Sequence, residues 1–218
     1  MRAVPAAPDA VVFDMDGVLI DSGAHHRASW RALCADIGVE PPHEFWRLTI
    51  GRPAEEAVQM LLGRVMSPAE ASALGGRKRA HYARLAARGI MAIPGVTAYV
   101  AGLAQRGVPR AVATSAPRAD LERLLPAIGL RDYFQVVVTA EDVRCGKPDP
   151  EVYVRAAHGL GLSPRACLVF EDAPVGVQAA RGAGMRVIGV TTAHTAAELL
   201  AAGAERTISH FEGLSWPA

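Results

Sequence analysis

A chain of 218 residues, half of them hydrophobic, is long enough to build a core of its own, since roughly 70% of the unfolded surface leaves water at this size. With 23 basic against 22 acidic residues and a formal net charge of +1, it offers no basic stripe for nucleic acid or an anionic membrane. Partners of those kinds are excluded, and any anionic partner must be small and held locally.

The opening MRAVPAAPDA has no apolar h-region, and the run after it is broken by acids, so neither a leader nor a membrane span is expected. Cys34, Cys145 and Cys167 form no C-x-x-C pair and are expected to be small core fillers in a reduced, cytoplasmic protein. In chain order, AVVFD (10–14), RAVATS (110–115), QVVVT (135–139), ACLVFED (166–172) and RVIGV (186–190) read as strands, several apolar throughout. Helical patterns occupy 95–106, 118–128, 150–160 and 174–183. Strand alternating with helix predicts an α/β fold, a Rossmann-like open parallel sheet.

One region breaks the alternation. From Ser22 to Arg88 no strand is evident; Trp30, Leu33, Cys34 and Ile37 fall at helical spacing, and charged, Ala-rich helices follow at 53–63 and 67–88. The expected division is a core of residues 1–21 and 90–218 and a helical insertion of residues 22–89. Its hinges are placed at Leu19–Ser22 and at GIMAIPG (89–95), where Gly and Pro punctuate the chain.

Ligands of open α/β sheets bind outside the carboxyl ends of the strands. There this sequence sets Asp14 and Asp16, then Thr114 and Ser115, then Glu171 and Asp172, with Lys147 in the connection after the third strand. Three aspartates sharing one site would repel one another, and a hard dication such as Mg2+ resolves that with oxygen ligands. A phosphate would follow the metal, with Lys147 as a fixed cation, the Thr114 hydroxyl nearby and a helix start at Ser115 or Ala116 offering free N–H groups. The set suits transfer of a phosphoryl group to a carboxylate.

DMDGVLIDS, VATS, GKPDP and VFEDAPVGVQAARGAGM, in that order, resemble the four motifs of the haloacid dehalogenase superfamily. The likeness covers nearly the whole chain and is nearest to the β-phosphoglucomutase-like, sugar-phosphate phosphatase branch. It implies that residues 22–89 are a helical cap domain over the α/β core. It implies further that Asp14 attacks phosphorus, that Asp16 protonates the leaving oxygen and then activates water, and that Thr114 and Lys147 hold the phosphoryl oxygens. The metal set it implies is the Asp14 carboxylate, the Asp16 carbonyl and Asp172, with Glu171 beside them. A small phosphorylated metabolite is the implied substrate and a monomer the implied state.

Asp16 favours phosphate esters, because dehalogenases of the superfamily lack it. In the insertion, His26 and Trp30 stand one helical turn apart in HHRASW, and His26 matches the family position tied to cap closure and proton handling. Lys78 in GGRKRAHY, Ser115 and Arg118 are further candidates for contact with the phosphate or substrate. A mutase would use a cap arginine for a second phosphate; Ala54 falls at that place, and Arg52 could substitute but has Glu55 and Glu56 as neighbours. Two other readings stay open: a phosphosugar mutase, and a non-enzymatic phospho-accepting signalling module. The latter would be shorter and would lack the insertion after Asp16.

Overall fold

The computed structural model describes residues 7–217, so the first six residues of the stretch read as lacking a leader lie outside it. Six parallel strands form one sheet: β1 (Ala10–Phe13), β2 (Arg110–Ala113), β3 (Val136–Val138), β4 (Cys167–Glu171), β5 (Arg186–Val190) and β6 (Arg206–Ile208). Their spatial order is β3-β2-β1-β4-β5-β6. The chain runs outward from β1 through β2 to β3, then returns to place β4 on the other side of β1. That reversal opens a crevice at the carboxyl ends of β1 and β4, where the acids lie.

The strands are apolar on both faces because both faces are covered. Val11 and Phe13 of β1 and Leu168 and Phe170 of β4 point into one cluster, while Ala10, Val12, Cys167 and Val169 point into the other. The helices are α1 (Gly23–Ile37), α2 (Phe45–Leu48), α3 (Ala54–Leu62), α4 (Pro68–Ala86), α5 (Val96–Gln105), α6 (Arg118–Ala127), α7 (Glu151–Gly159), α8 (Pro174–Gly182) and α9 (Ala196–Ala202). Of these, α5 and α6 supply Val96, Tyr99, Leu103, Leu121 and Leu124 to the first cluster, and α7, α8 and α9 supply Tyr153, Val177 and Leu199 to the second.

Between β1 and α5 the chain is helical, as its spacing predicts. α1, α2, α3 and α4 close around a third cluster that includes Trp30, Leu33, Phe45, Val58 and Leu61. α4 starts cleanly because Ser67 and Glu70 form a reciprocal capping box with Pro68 at the first position. The two links to the sheet are hydrogen-bonded to each other: Asp21 donates to the Met91 carbonyl at 2.8 Å and Ile93 to that of Leu19 at 3.1 Å.

Four local readings change. β6 and α9 were not expected: β6 is three residues long and only partly buried, too short for a pattern, whereas the Thr195–Glu198 capping box of α9 is a legible start signal. α2 is likewise a single short turn of helix. The helix after β2 begins at Arg118, as the pattern over 118–128 predicts, but with Pro117 as its cap, so Ser115 and Ala116 precede the helix start instead of forming it. Cys34 and Cys167 are buried, but Cys145 is exposed in a loop and fills no core. Among the described residues no helix is long and apolar enough to cross a membrane.

Candidate active site

At the end of β1 the chain turns sharply, and Gly17 sits at φ +73°, beside the carboxylate of Asp172. A Cβ at Gly17 would overlap Oδ2 of Asp172, so glycine serves here for both conformation and closeness. Thr192, just past β5, donates to the Gly17 carbonyl at 2.7 Å and lies 3.3 Å from Asp172 Oδ2. Three strand ends are thus tied together around the acids.

Asp14, Glu171 and Asp172 are all buried and each brings a carboxylate oxygen within 4.8 Å of the others. Two unit charges at that separation repel by about 3 kcal/mol or more at an effective dielectric of about 20. Lys147 answers part of this, donating from Nζ to Asp14 Oδ1 at 2.6 Å, to Glu171 Oε1 at 2.7 Å and to the Ala113 carbonyl at 3.2 Å. Burial raises the Asp14 and Asp172 carboxyls above their ordinary value, and the neighbouring acids push the same way. Burial also opposes the charge on Lys147, yet Asp14 and Glu171 hold its ammonium well above the usual lysine value. One lysine against three carboxylates leaves an excess of negative charge.

The donor set fits a hard cation. Among the described residues, Oδ2 of Asp14 and Oδ1 of Asp172 have no hydrogen-bond partner. Glu171 is differently placed: Oε1 accepts from Lys147 and from Tyr153 Oη at 2.9 Å, and Oε2 accepts from the Ala173 amide at 2.9 Å. The cluster could hold a metal ion, with Glu171 orienting Lys147 from behind.

Asp16 faces the other way. Its Oδ1 lies 2.9 Å from His26 Nε2 of α1 and 3.3 Å from the hydroxyl of Tyr82 of α4, whose ring stacks on His26 at 4.3 Å. Lys78 of α4 sits 2.7 Å from His26 Nδ1, its ammonium over the rings of Trp30 and Tyr82. An ammonium has only donors to offer, so Nδ1 accepts and the proton lies on Nε2, aimed at Asp16. Burial would raise the Asp16 carboxyl, but the hydrogen bond from His26, with Ser22 and the Lys78 charge behind, holds it at about 2. Burial pulls Lys78 down to about 8 against the attraction of Asp16 and Asp120. Burial and then the Lys78 charge lower His26.

The acids open into a cavity of about 490 Å3, lined on the sheet side by Asp14, Asp16, Thr114, Ser115 and Asp172 and on the insertion side by His26, Arg52 and Lys78. Lys147 lines a smaller recess of about 220 Å3 that shares Thr114 and Ser115 with it. Thr114 Oγ1 accepts from the Ala116 amide at 3.0 Å, and Ser115 Oγ donates to the Gly51 carbonyl of the insertion at 3.0 Å. Arg52 is paired with Glu56. Arg118 does not reach the cavity: its guanidinium bonds Asp142 at 2.5 Å and its amide bonds Glu141. Sequence reasoning overlooked Tyr82, Tyr153, Thr192 and His194. The hydroxyl-rich TTAHT directly after β5 is a signal for Thr192 and His194, being another strand end at the same edge.

A family model for haloacid dehalogenase-like hydrolases matches residues 8–184. Over 208 residues the chain is 36% identical to validoxylamine A 7'-phosphate phosphatase of Streptomyces hygroscopicus subsp. limoneus, which covers 94% of this chain and 95% of the relative. It is 32% identical over 180 residues to a fructose-1-phosphate phosphatase of Escherichia coli, covering 83% and 95%. The crystal structure of a CbbY variant from Rhodobacter sphaeroides in complex with xylulose-1,5-bisphosphate matches with a TM-score of 0.83 at 27% identity, covering 95% of this chain and 96% of that one. A Rossmann-like sheet with these acids at its switch point and a family match over most of its length mean that the chain belongs to the haloacid dehalogenase-like hydrolases.

Proposed function

We propose that this protein is a magnesium-dependent phosphatase of a small phosphomonoester, of the sugar-phosphate kind, working through a phosphoaspartate on Asp14. The observation that carries the reading is the split between two aspartates two residues apart. Asp14 lies against Lys147 with one oxygen open to the cavity, whereas Asp16 is bound to His26 and Tyr82 of the insertion. The relatives' names add support, one being a phosphatase of fructose 1-phosphate and the other of validoxylamine A 7'-phosphate.

Asp14, Asp172 and the Asp16 carbonyl are the proposed metal ligands, and Mg2+ when bound would neutralise charge on the acids and on the phosphoryl oxygens. Thr114, Ser115 and Lys147 orient the phosphoryl group. An Asp14 oxygen bonds to phosphorus as the ester P–O bond breaks, and Asp16 gives the leaving oxygen its proton. Asp16 then takes a proton from the water that attacks the phosphoaspartate, releasing phosphate and restoring Asp14. In this arrangement Asp16 is held as the base. His26 is placed to relay the proton it needs as an acid: Nε2, at 2.9 Å, gives its proton to Asp16 as Lys78 Nζ, 2.7 Å from Nδ1, gives one to the ring. Residues 22–89 act as a cap hinged at the paired links, and closure by the Ser115–Gly51 bond and the His194 contacts to the carbonyls of Asp172 and Arg47 keeps water out. Ala54 and a Glu56-paired Arg52 leave no cation free where a mutase would hold its second phosphate, which favours transfer to water.

The test is phosphate release from a panel of hexose and hexitol phosphates, phosphoglycolate and nucleotides, with Mg2+ and with chelator. Metal-dependent release from sugar phosphates is expected. Conversion of β-glucose 1-phosphate to glucose 6-phosphate without release would replace the reading with a mutase.

Two variants probe its parts. The basic limb of the kcat/KM profile is expected near pH 8, where Lys78 loses its proton and its support of the His26–Asp16 bond. Lys78→Arg, which stays charged, should move that limb beyond about pH 10; a limb common to both proteins would remove Lys78 from the account. Gly17→Ala pushes on Asp172 and forces a left-handed alanine. It should raise the Mg2+ concentration needed for half-maximal rate by about 10- to 100-fold, read by metal titration.

A further inference from the structure

The cap wall of the cavity carries five cations, Arg27, Arg47, Arg52, Lys78 and Arg79, which at first sight suits a second anion. Four of the five are engaged already. Arg52 pairs with Glu56, Arg79 with Glu55, Arg47 with Glu44 and Glu198, and Lys78 is turned onto His26. Arg27 stands exposed on α1, where solvent and salt weaken its pull.

The Glu55–Arg79 pair is set into the fold. Gly75 of α4 is buried, and a Cβ there would lie 2.9 Å from Glu55 Oε1 and 3.3 Å from Arg79 Nη1, so the missing side chain makes the niche in which the pair meets. Glu55 and Arg79 both line the cavity, alongside the apolar surfaces of Trp46 and Ile50. A neutralised carboxylate–guanidinium pair presents acceptors and donors side by side and attracts no net charge. That chemistry matches a run of hydroxyl groups with an apolar face, and the cavity of about 490 Å3 is in the range that holds a small ligand.

We propose that the cap end of the cavity is a subsite for a neutral, polyhydroxylated leaving group, read by the Glu55–Arg79 pair, and that Glu55 and Glu56 exclude substrates with a second phosphate. The proposal rests on the phosphatase reading and deepens it. A second phosphate entering the subsite must break an ion pair and then face the carboxylate it displaced, a like-charge contact that costs far more than the pair itself is worth at the surface.

Two measurements separate the subsite from the chemistry. Turnover of p-nitrophenyl phosphate, whose leaving group has no hydroxyl run, reports on the phosphatase reading alone. Calorimetric binding of glucose 6-phosphate and glucose 1,6-bisphosphate to full-length Asp14→Asn protein with Mg2+ reports on the subsite alone. The monophosphate should bind at least about tenfold tighter than the bisphosphate. Adding Glu55→Gln and Glu56→Gln, which releases both guanidiniums, should erase that preference through a gain in bisphosphate affinity. Equal or tighter bisphosphate binding before those changes, an unchanged preference after them, or binding of neither sugar overturns the subsite. A preserved preference in a protein that leaves p-nitrophenyl phosphate intact supports the subsite and overturns the phosphatase reading.

Discussion

Replacement of Asp14 by asparagine is expected to lower phosphate release by at least about 10^4-fold, because no neighbouring group can form the same covalent bond to phosphorus. The loss should come without unfolding. Asp14 has one attractive neighbour, Lys147, and two repulsive ones, Glu171 and Asp172, all buried. An asparagine keeps an oxygen for the Lys147 ammonium and removes one charge from the cluster. In chelator, Asp14→Asn should therefore melt no lower than the native chain. Magnesium should separate the two proteins in the opposite sense. At about 100 times its dissociation constant a ligand stabilises by about 2.7 kcal/mol, which for a chain of this size is a rise of about 5–10 °C. The native protein should show that rise and Asp14→Asn much less of it. Turnover within about tenfold of native would move the nucleophile elsewhere.

Much of this arrangement is legible in the sequence, and the reason is local. β1, β2, β4 and β5 are covered on both faces, so their apolar runs are uninterrupted, and polar residues directly after such runs can only lie at the sheet's edge. Asp14, Thr114 and Asp172 are readable in that way. What the sequence does not expose are contacts made by pairs far apart in the chain. Lys78 reads as a candidate for contact with the substrate but not as a partner of His26, 52 residues earlier, onto which α4 turns it in a buried position. Tyr153 sits in an ordinary amphipathic helix and becomes part of the site only because β4 brings Glu171 beneath it. Arg118 shows the converse: the family likeness puts it near the phosphate and cap, but α6 begins at that residue and Asp142 takes its guanidinium outward. Short elements fail for a different reason. The three residues of β6 carry too little pattern to be a strand until β5 lies beside them.

Lys147→Met should be the single change most damaging to stability while also slowing the reaction, and its signature is a dependence on pH. Methionine can follow the path of the lysine stem over the Tyr153 ring, so the packing survives while the charge is lost. Asp14 and Glu171 are then buried without their common partner, which costs about 3–5 kcal/mol, or about 6–20 °C in melting temperature. The fall in kcat, about 10^3-fold, follows from losing a fixed cation on the transferring phosphoryl group. The sign of the pH effect follows from the carboxyls. Burial already holds Asp14 and Asp172 above the ordinary value of 3.8, and removal of Lys147 moves them further up. A carboxyl held up in this way binds its proton more tightly folded than unfolded. Its contribution is full below the unfolded value and is lost as pH rises through the folded one. The gap in melting temperature between Lys147→Met and the native chain should therefore be widest near pH 8 and narrow steadily toward about pH 5, in chelator throughout. A purely steric defect would give a gap that ignores pH. In that case Lys147 would be a packing residue, and the balance of one lysine against three acids would not be what holds this site together.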